Sequence, residues 1–295
     1  MLAGESRFIM NPPARVEITR FPEGKRIAVT TSFDDGQTFD RRIVAAFNQW
    51  GLKATFNINS GLLQRTGKPA VEGTLGRGER VYLDASEIRD LFQGHEVAIH
   101  TVSHPWLERL EPSQIAREVI EDRIALEDLV GYPVRGMAYP FGTYDDRVIA
   151  VLRGLGIVYS RTCRNEGNCF PPADPLDWAS TAHQYAEGPT VPERFAAVLG
   201  NPWWSGVFYV WGHGFEFHDR DDWAGLERIF QPLSGHADVW YCTNIELFDY
   251  EEARRRVVIA ANRKVAYNPS AIPVWLKADG KLIVVSGGET VTLGS

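Results

Sequence analysis

The chain has no apolar run near the roughly 18 residues that a membrane helix requires, so a membrane partner is not expected. Cysteine is scarce: Cys163, Cys169 and Cys242 are too few, and odd in number, for a disulfide framework. Reduced thiols are expected, with a local Cys163–Cys169 bridge as the alternative that their spacing permits. A basic surplus is also absent. Lys and Arg total 31 against 38 Asp and Glu, a net charge of −7, which argues against nucleic acid as a partner because phosphates need a basic footprint. Arg254, Arg255 and Arg256 form the one basic run and read as the solvated side of a helix. The opening MLAGESRFIMNPPARVEITRFPEGK scatters charge through its length and has no apolar stretch ending in small residues. It does not read as a secretory signal, and the expected compartment is the cytoplasm. Internal repeats and low-complexity segments are missing too.

What is present is an alternation of short β-branched runs with amphipathic stretches. The runs are Arg26 to Phe33, Lys53 to Asn59, His95 to His100, Val134 to Tyr139, Ile157 to Thr162, Gly206 to Trp211 and Val239 to Asn244, seven expected strands. Between them DRRIVAAFNQW, SQIAREVIEDRIALEDLV and DDRVIAVLRGL place apolar residues at helical spacing, and Gly51 and Gly131 follow as stops. Asp84 with Glu87 forms a capping box ahead of Ile88 and Leu91. This βα alternation predicts an α/β fold, a (β/α) barrel that is possible in irregular form, rather than an open doubly wound sheet. Gly61 to Arg80, rich in Gly and charge, is expected to be a long loop. From Asn262 the pattern changes to alternating residues with two turn signals, ADGK and SGGE, and no helix. The expected organisation is an N-terminal extension over 1–25, a barrel over 26–261 and a small β-rich extension over 262–295.

Four clusters at expected strand ends carry chemistry. TSFDDG (Thr31 to Gly36) presents two adjacent carboxylates whose side chains leave a strand end in different directions, so one can hold a metal while the other takes a proton. HTVSHP (His100 to Pro105) offers two imidazoles four residues apart; on a helical turn that spacing puts both rings on one side, as when two histidines share a metal. Two histidines and one carboxylate leave coordination positions open, which a catalytic site needs. In GMAYPFGTYDD, Pro140 and Gly142 make a tight turn whose backbone N–H can point into a site. In WGHGFEF, His213 follows a strand between two glycines that leave the ring accessible, and an imidazole titrating near neutrality suits protonation of a leaving group. Glu216 can orient that imidazole. Among the nine tryptophans, Trp106, Trp203 and Trp204 are the candidates for stacking on a carbohydrate ring.

Together these residues, over roughly Arg26 to Tyr250, resemble the polysaccharide deacetylase family, also called the NodB-homology or carbohydrate esterase family 4 fold, in a bacterial form with a YPFG third motif. TSFDDG resembles its first motif, HTVSH its His-x-x-x-His motif, YPFG its third and WGH its late histidine motif. The resemblance implies a distorted (β/α)7-type barrel in which Asp35, His100 and His104 bind a divalent ion, zinc first, with cobalt, nickel, manganese or iron as alternatives. It makes Asp34 the general base and His213 the acid, and puts a backbone N–H of the Tyr139 to Gly142 turn, that of Phe141, on the oxyanion. The implied reaction removes acetyl groups from N- or O-acetylated carbohydrates. The implied substrate-binding residues are Trp178, His183, Glu216 and Trp106.

Departures from the pattern are equally specific. Ala138 stands where the family carries an arginine that orients the base, and Arg135 or Arg161 could substitute if the geometry allows. The family's fourth motif, an Asp with a Trp lining the acetyl pocket, is matched loosely by Asp177 and Trp178. Two competing functions remain at this level: hydrolysis of a cyclic amide or ureide on the same scaffold, and carbohydrate binding without turnover. Oligomeric state is not legible.

Overall fold

The fold is described from a computed structural model, which describes residues 15–65, 72–73, 80–167 and 170–293. It begins with the strand that carries both aspartates. Ile27–Asp35 (β1) is buried over all but its last residue, and its two-residue period sorts side chains onto two faces. Phe33 packs against Phe47, Phe56 and Phe230, beneath the helices Asp40–Trp50 and Trp223–Phe230. Thr30, Ser32 and Asp34 lie on the alternate face and meet polar partners: Asn244, Tyr209 and Arg161 respectively.

Eight more strands complete the sheet: Thr55–Ile58 (β2), Glu96–Ile99 (β3), Gly136–Ala138 (β4), Tyr159–Asn165 (β5), Trp178–Ser180 (β6), Ala182–His183 (β7), Gly206–His213 (β8) and Val239–Tyr241 (β9). The hydrogen-bonded order is β7-β8-β1-β2-β3-β4-β5-β6, with β9 also on β1, and every pairing is parallel. All strands therefore end on one rim, where a parallel α/β sheet collects functional groups. The path is an open ladder rather than a ring. Its two ends, β6 and β7, are separated in the chain by Thr181 alone, whose N–H donates to Tyr209 O at 2.9 Å.

All seven expected strands are present, and β6 and β7 are additional. At three and two residues they are too short for periodicity to register. The three expected helices span Asp40–Trp50, Pro112–Val130 and Asp146–Gly154. Gly51 and Gly131 end the first two in the left-handed conformation, at φ 69° and 82°. The Asp84–Glu87 capping box forms, on a single 3-10 turn that leads into Ile88–Leu91. The expected loop Gly61 to Arg80 differs in one respect: Glu72–Gly73 pairs antiparallel with Arg80–Val81, a ladder again too short to leave a pattern. Residues 66–71 and 74–79 of that stretch lie outside the described residues, as does Cys169 with the bridge to Cys163. No helix among the described residues is long and apolar enough to cross a membrane.

The described residues divide into two compact units, one over Arg26–Phe248 and one formed by residues 15–25 together with 249–293. In the second unit Val16–Ile18 pairs antiparallel with Val274–Ala278, which pairs with Lys281–Val285. The ADGK signal is the hairpin between the last two, with Asp279 at φ 50° and Gly280 at φ 82°, the pair of positive φ values that a type I′ turn demands. A second antiparallel sheet joins Val258–Ile259, Val265–Tyr267 and Thr290–Thr292. Within the helix Asn244–Arg256, Arg254 and Arg255 both pair with Glu251 at 2.7 Å.

Candidate active site

The two adjacent aspartates part company because β1 ends on a left-handed residue. Asp35 has φ 84°, so its carboxylate leaves the strand on a different heading from that of Asp34. Four of the eight non-glycine residues with positive φ among the described residues, Asp35, Thr101, His104 and Phe141, lie at this rim. Such conformations cost roughly 1–3 kcal/mol each and persist where surrounding structure enforces them, often at functional sites.

Asp35 faces the histidines. Its Oδ1 lies 3.7 Å from both His100 Nε2 and His104 Nε2, and the three ligand atoms fall within 4.8 Å of one another. Metal–ligand bonds of about 2.0–2.1 Å in tetrahedral array imply ligand separations of roughly 3.3 Å, so the donor set fits a divalent cation with a small contraction. His100 Nδ1 contacts Ala138 O at 2.8 Å, which fixes the proton there and turns an unprotonated Nε2 toward Asp35. Burial holds that imidazole neutral, its pKa lowered to about 4. Gln37 Nε2 reaches Asp35 Oδ2 at 3.4 Å. The backbone before His100 is also held: Asp122 accepts its N–H at 3.0 Å and that of Ser60 at 2.7 Å.

The rings converge by a different route from the helical turn expected from their spacing. Residues 100–106 are not helical; Thr101 and His104 stand at φ 70° and 58°, and Pro105 disfavours α geometry at His104. Thr101 Oγ1 accepts the His104 N–H at 3.1 Å, and Glu118 accepts the Ser103 N–H and hydroxyl at 2.9 and 2.8 Å.

Asp34 has its own partners, set by strand register. It is flanked by Asn57 on β2 and His213 on β8. Asn57 Nδ2 donates to Oδ1 at 2.8 Å, His213 Nε2 lies 3.8 Å from Oδ2, and the Arg161 guanidinium donates to Oδ2. Arg161 is fully buried, with Trp211 against its guanidinium at 4.4 Å. Burial alone would raise the Asp34 pKa. Arg161, His100 and His213 overcome it and hold the carboxyl well below its usual range. Arg161 is the direct register partner of Ala138, so the cation missing from β4 comes from the neighbouring strand. Arg135 precedes β4, at the strand end away from Tyr139.

His213 is tied on its other side to Glu216, with Nδ1 3.6 Å from Oε2. Glu216 is also 3.0 Å from His183 Nε2 and accepts Gln184 Nε2–H at 2.7 Å. Burial pulls the His213 pKa down, but Glu216, Asp35 and Asp34 more than offset it, and the net direction is upward. The flanking glycines do not open access as expected. A Cβ on Gly212 would stand 2.2 Å from Gln184, and one on Gly214 2.9 Å from Asp40; both make room for packed neighbours.

Residues 22–160 match the family model described as polysaccharide deacetylase. That stretch, a little under half of the chain, is similar to polysaccharide deacetylase domains. It carries Asp34, Asp35, His100, His104 and the Tyr139–Gly142 turn, and stops one residue short of Arg161. Chitin deacetylase 1 of Cryptococcus neoformans is 29% identical over 111 residues, 37% of this chain and 23% of that protein. The peptidoglycan-N-acetylglucosamine deacetylase PgdA of Listeria monocytogenes is 26% identical over 152 residues, 50% of this chain and 28% of that protein. The chain thus spans about a quarter of the length of these curated relatives. A solved structure of a candidate polysaccharide deacetylase from Mycobacterium smegmatis superposes with a TM-score of 0.56 at 17% identity, covering 83% of this chain and 95% of that one. That likeness concerns the fold: a mostly parallel central sheet with helices around it.

Four residues considered for a substrate site stand differently from their expectation. Trp178 is fully buried among Tyr159, Phe170, Tyr209 and Phe248 and is closed to substrate. Trp106 stacks on Phe141 at 3.8 Å, 4° from parallel, and carries Arg109 on its ring at 4.7 Å, so it has no open face for a sugar. Asp177 pairs with Arg164 and Tyr144. Trp203 is 93% exposed, yet it precedes β8 and lies at the strand end away from His213. The reading of motifs passed over Asn57, Gln37 and Gln184. Asn57 had a signal: it is a polar residue in the middle of the apolar run ATFNI, in a strand buried throughout.

Proposed function

We propose that this chain is a metal-dependent hydrolase that removes acetyl groups from N- or O-acetylated carbohydrates. The observation that carries the reading is the separation of two neighbouring carboxylates into two roles. Asp35 meets two histidine nitrogens, while Asp34, one residue earlier, meets an arginine and a third histidine.

Asp35, His100 and His104 would hold a divalent ion, with zinc first among several that such ligands accept. When bound, the ion supplies Lewis-acid polarisation of the acetyl carbonyl and a water acidic enough to ionise near neutral pH. Asp34, kept ionised by Arg161 and aimed by Asn57, takes the proton from the attacking water. The Phe141 N–H is the donor for the oxyanion. Gly142 and Thr143 in the same turn already donate to Tyr139 and Pro140, and Pro140 has no N–H. His213, whose raised pKa favours the protonated form, delivers a proton to the departing amine or alcohol. The names of the two curated relatives support an acetylated carbohydrate as substrate.

The test is acetate release from chitooligosaccharides, peptidoglycan fragments and acetylated xylan, run alongside metal analysis. The expected result is acetate from at least one of them, abolished by chelation and restored by zinc. Ring opening of small cyclic amides with no acetate release from any carbohydrate would overturn the reading.

A further inference from the structure

One oxygen on this rim is asked to serve three donors. Glu216 Oε2 accepts Gln184 Nε2–H at 2.7 Å, lies 3.0 Å from His183 Nε2 and 3.6 Å from His213 Nδ1. His183, His213 and Glu216 would suit a cation by ligand type, and their donor atoms lie within 4.8 Å of one another. The protonation pattern argues otherwise. Tyr185 N–H donates to His183 Nδ1 at 3.2 Å, so a neutral ring carries its proton on Nε2, the atom a cation would need. The array is held by hydrogen bonds, and His183 spends its single N–H on Glu216.

The distances rank the donors. Gln184 and His183 sit within hydrogen-bond range, and His213 is held at arm's length. Gln184 also donates to His213 O at 2.9 Å, so the backbone of His213 and the carboxylate beside it are fixed to one amide. We propose that His183 and His213 compete for Oε2 of Glu216, making His183 a positioning residue that weakens the hold of Glu216 on His213 without touching the reacting atoms. This rests on reading His213 as the proton donor. The charged groups facing His213 are Asp34 and Asp35 of β1, Asp40 of the helix Asp40–Trp50 and Glu216 of the helix Gly214–Asp219, with the His183 ring 6.4 Å away on β7. Among them Glu216 is the one that faces His213 Nδ1, and its Oε2 is the oxygen within hydrogen-bond range of His183.

Competition has a signature that simple structural support lacks: loss of the two partners moves His213 in opposite directions. His183→Leu releases Glu216 to His213, so the His213 titration, followed by NMR of 15N-histidine-labelled, zinc-loaded protein and assigned by its loss in His213→Gln, is expected to move up. The alkaline limb of acetate release should follow it to higher pH. Glu216→Gln is expected to move both down and to slow acetate release at neutral pH by about tenfold or more. His183→Gln, which keeps an N–H donor, should restore the wild-type titration and guards against misfolding of His183→Leu. A downward or absent shift in His183→Leu would overturn the proposal, whatever the activity. A protein that releases no acetate but shows the opposed shifts would overturn the function and leave the competition standing.

Discussion

Two carboxylates at opposite ends of the same sheet interior are equally hidden, Asp34 at 4% exposure and Glu96 at 5%, and they end in opposite charge states. Asp34, at the rim, has Arg161 against it and stays ionised to well below the usual carboxylate range. Glu96 opens β3 at the far end and is paired with no cation among the described residues. It accepts Tyr159 OH at 2.7 Å, Thr55 Oγ1 at 2.8 Å and the Ile245 N–H at 2.8 Å. Burial outweighs these dipoles and pushes its carboxyl up to about 7. Burial alone therefore does not decide ionisation here. A buried charge stays charged when a full opposing charge is placed beside it, and hydroxyls with one amide do not suffice.

Removing the rim charge while keeping its shape should give the largest effect. Asp34→Asn is expected to slow acetate release by roughly 100- to 10,000-fold with metal content unchanged; a variant as fast as the wild type would remove Asp34 from the role of base. Next comes Arg161→Met, which strands Asp34 without its cation and should lower stability by about 3–5 kcal/mol in urea melts at neutral pH. Because the folded-state pKa of Asp34 is depressed, its contribution is present above the unfolded value of about 3.9 and is lost as pH falls through the folded value, so the variant and wild type should converge in acid. The double variant Asp34→Asn, Arg161→Met should recover part of the loss, since neither charge is then left alone. The smallest effect is expected at Glu96→Gln. With its pKa raised to about 7, folded Glu96 keeps a proton that the unfolded chain gives up from about pH 4.3, so wild-type stability declines as pH rises through that window. The glutamine variant should flatten this decline by about 1–3 kcal/mol in thermal melts between pH 4.5 and 7; an unchanged slope would mean that Glu96 is ionised like Asp34.

The same comparison explains what could be read in advance. His100 and His104 were legible because four residues of chain confine both rings to one rim, although the turn that brings them together is left-handed rather than helical. Arg161 was an open alternative to Arg135. Choosing between them needs the register of β4 on β5, which sets Ala138 beside Arg161, 23 residues later in the chain. Glu216 was legible as a neighbour of His213 but not as a carboxylate shared with His183, which β7 brings beside β8. Trp178 misled for a related reason. An indole suits a sugar face and an aromatic core alike, and the packing of β6 against Tyr209 and Phe248 puts it in the core.

By itself, then, the sequence determined the parallel βα order, the rim on which the ionisable groups gather and the pairing of two histidines there. These follow from periodicity, helix stops and short spacing, all of which act over a few residues. The tertiary structure decided which carboxylate is charged, which arginine serves it and which imidazoles share Glu216. Coulomb and desolvation energies depend on distances between strands, and those distances exist only once the register of the sheet is set.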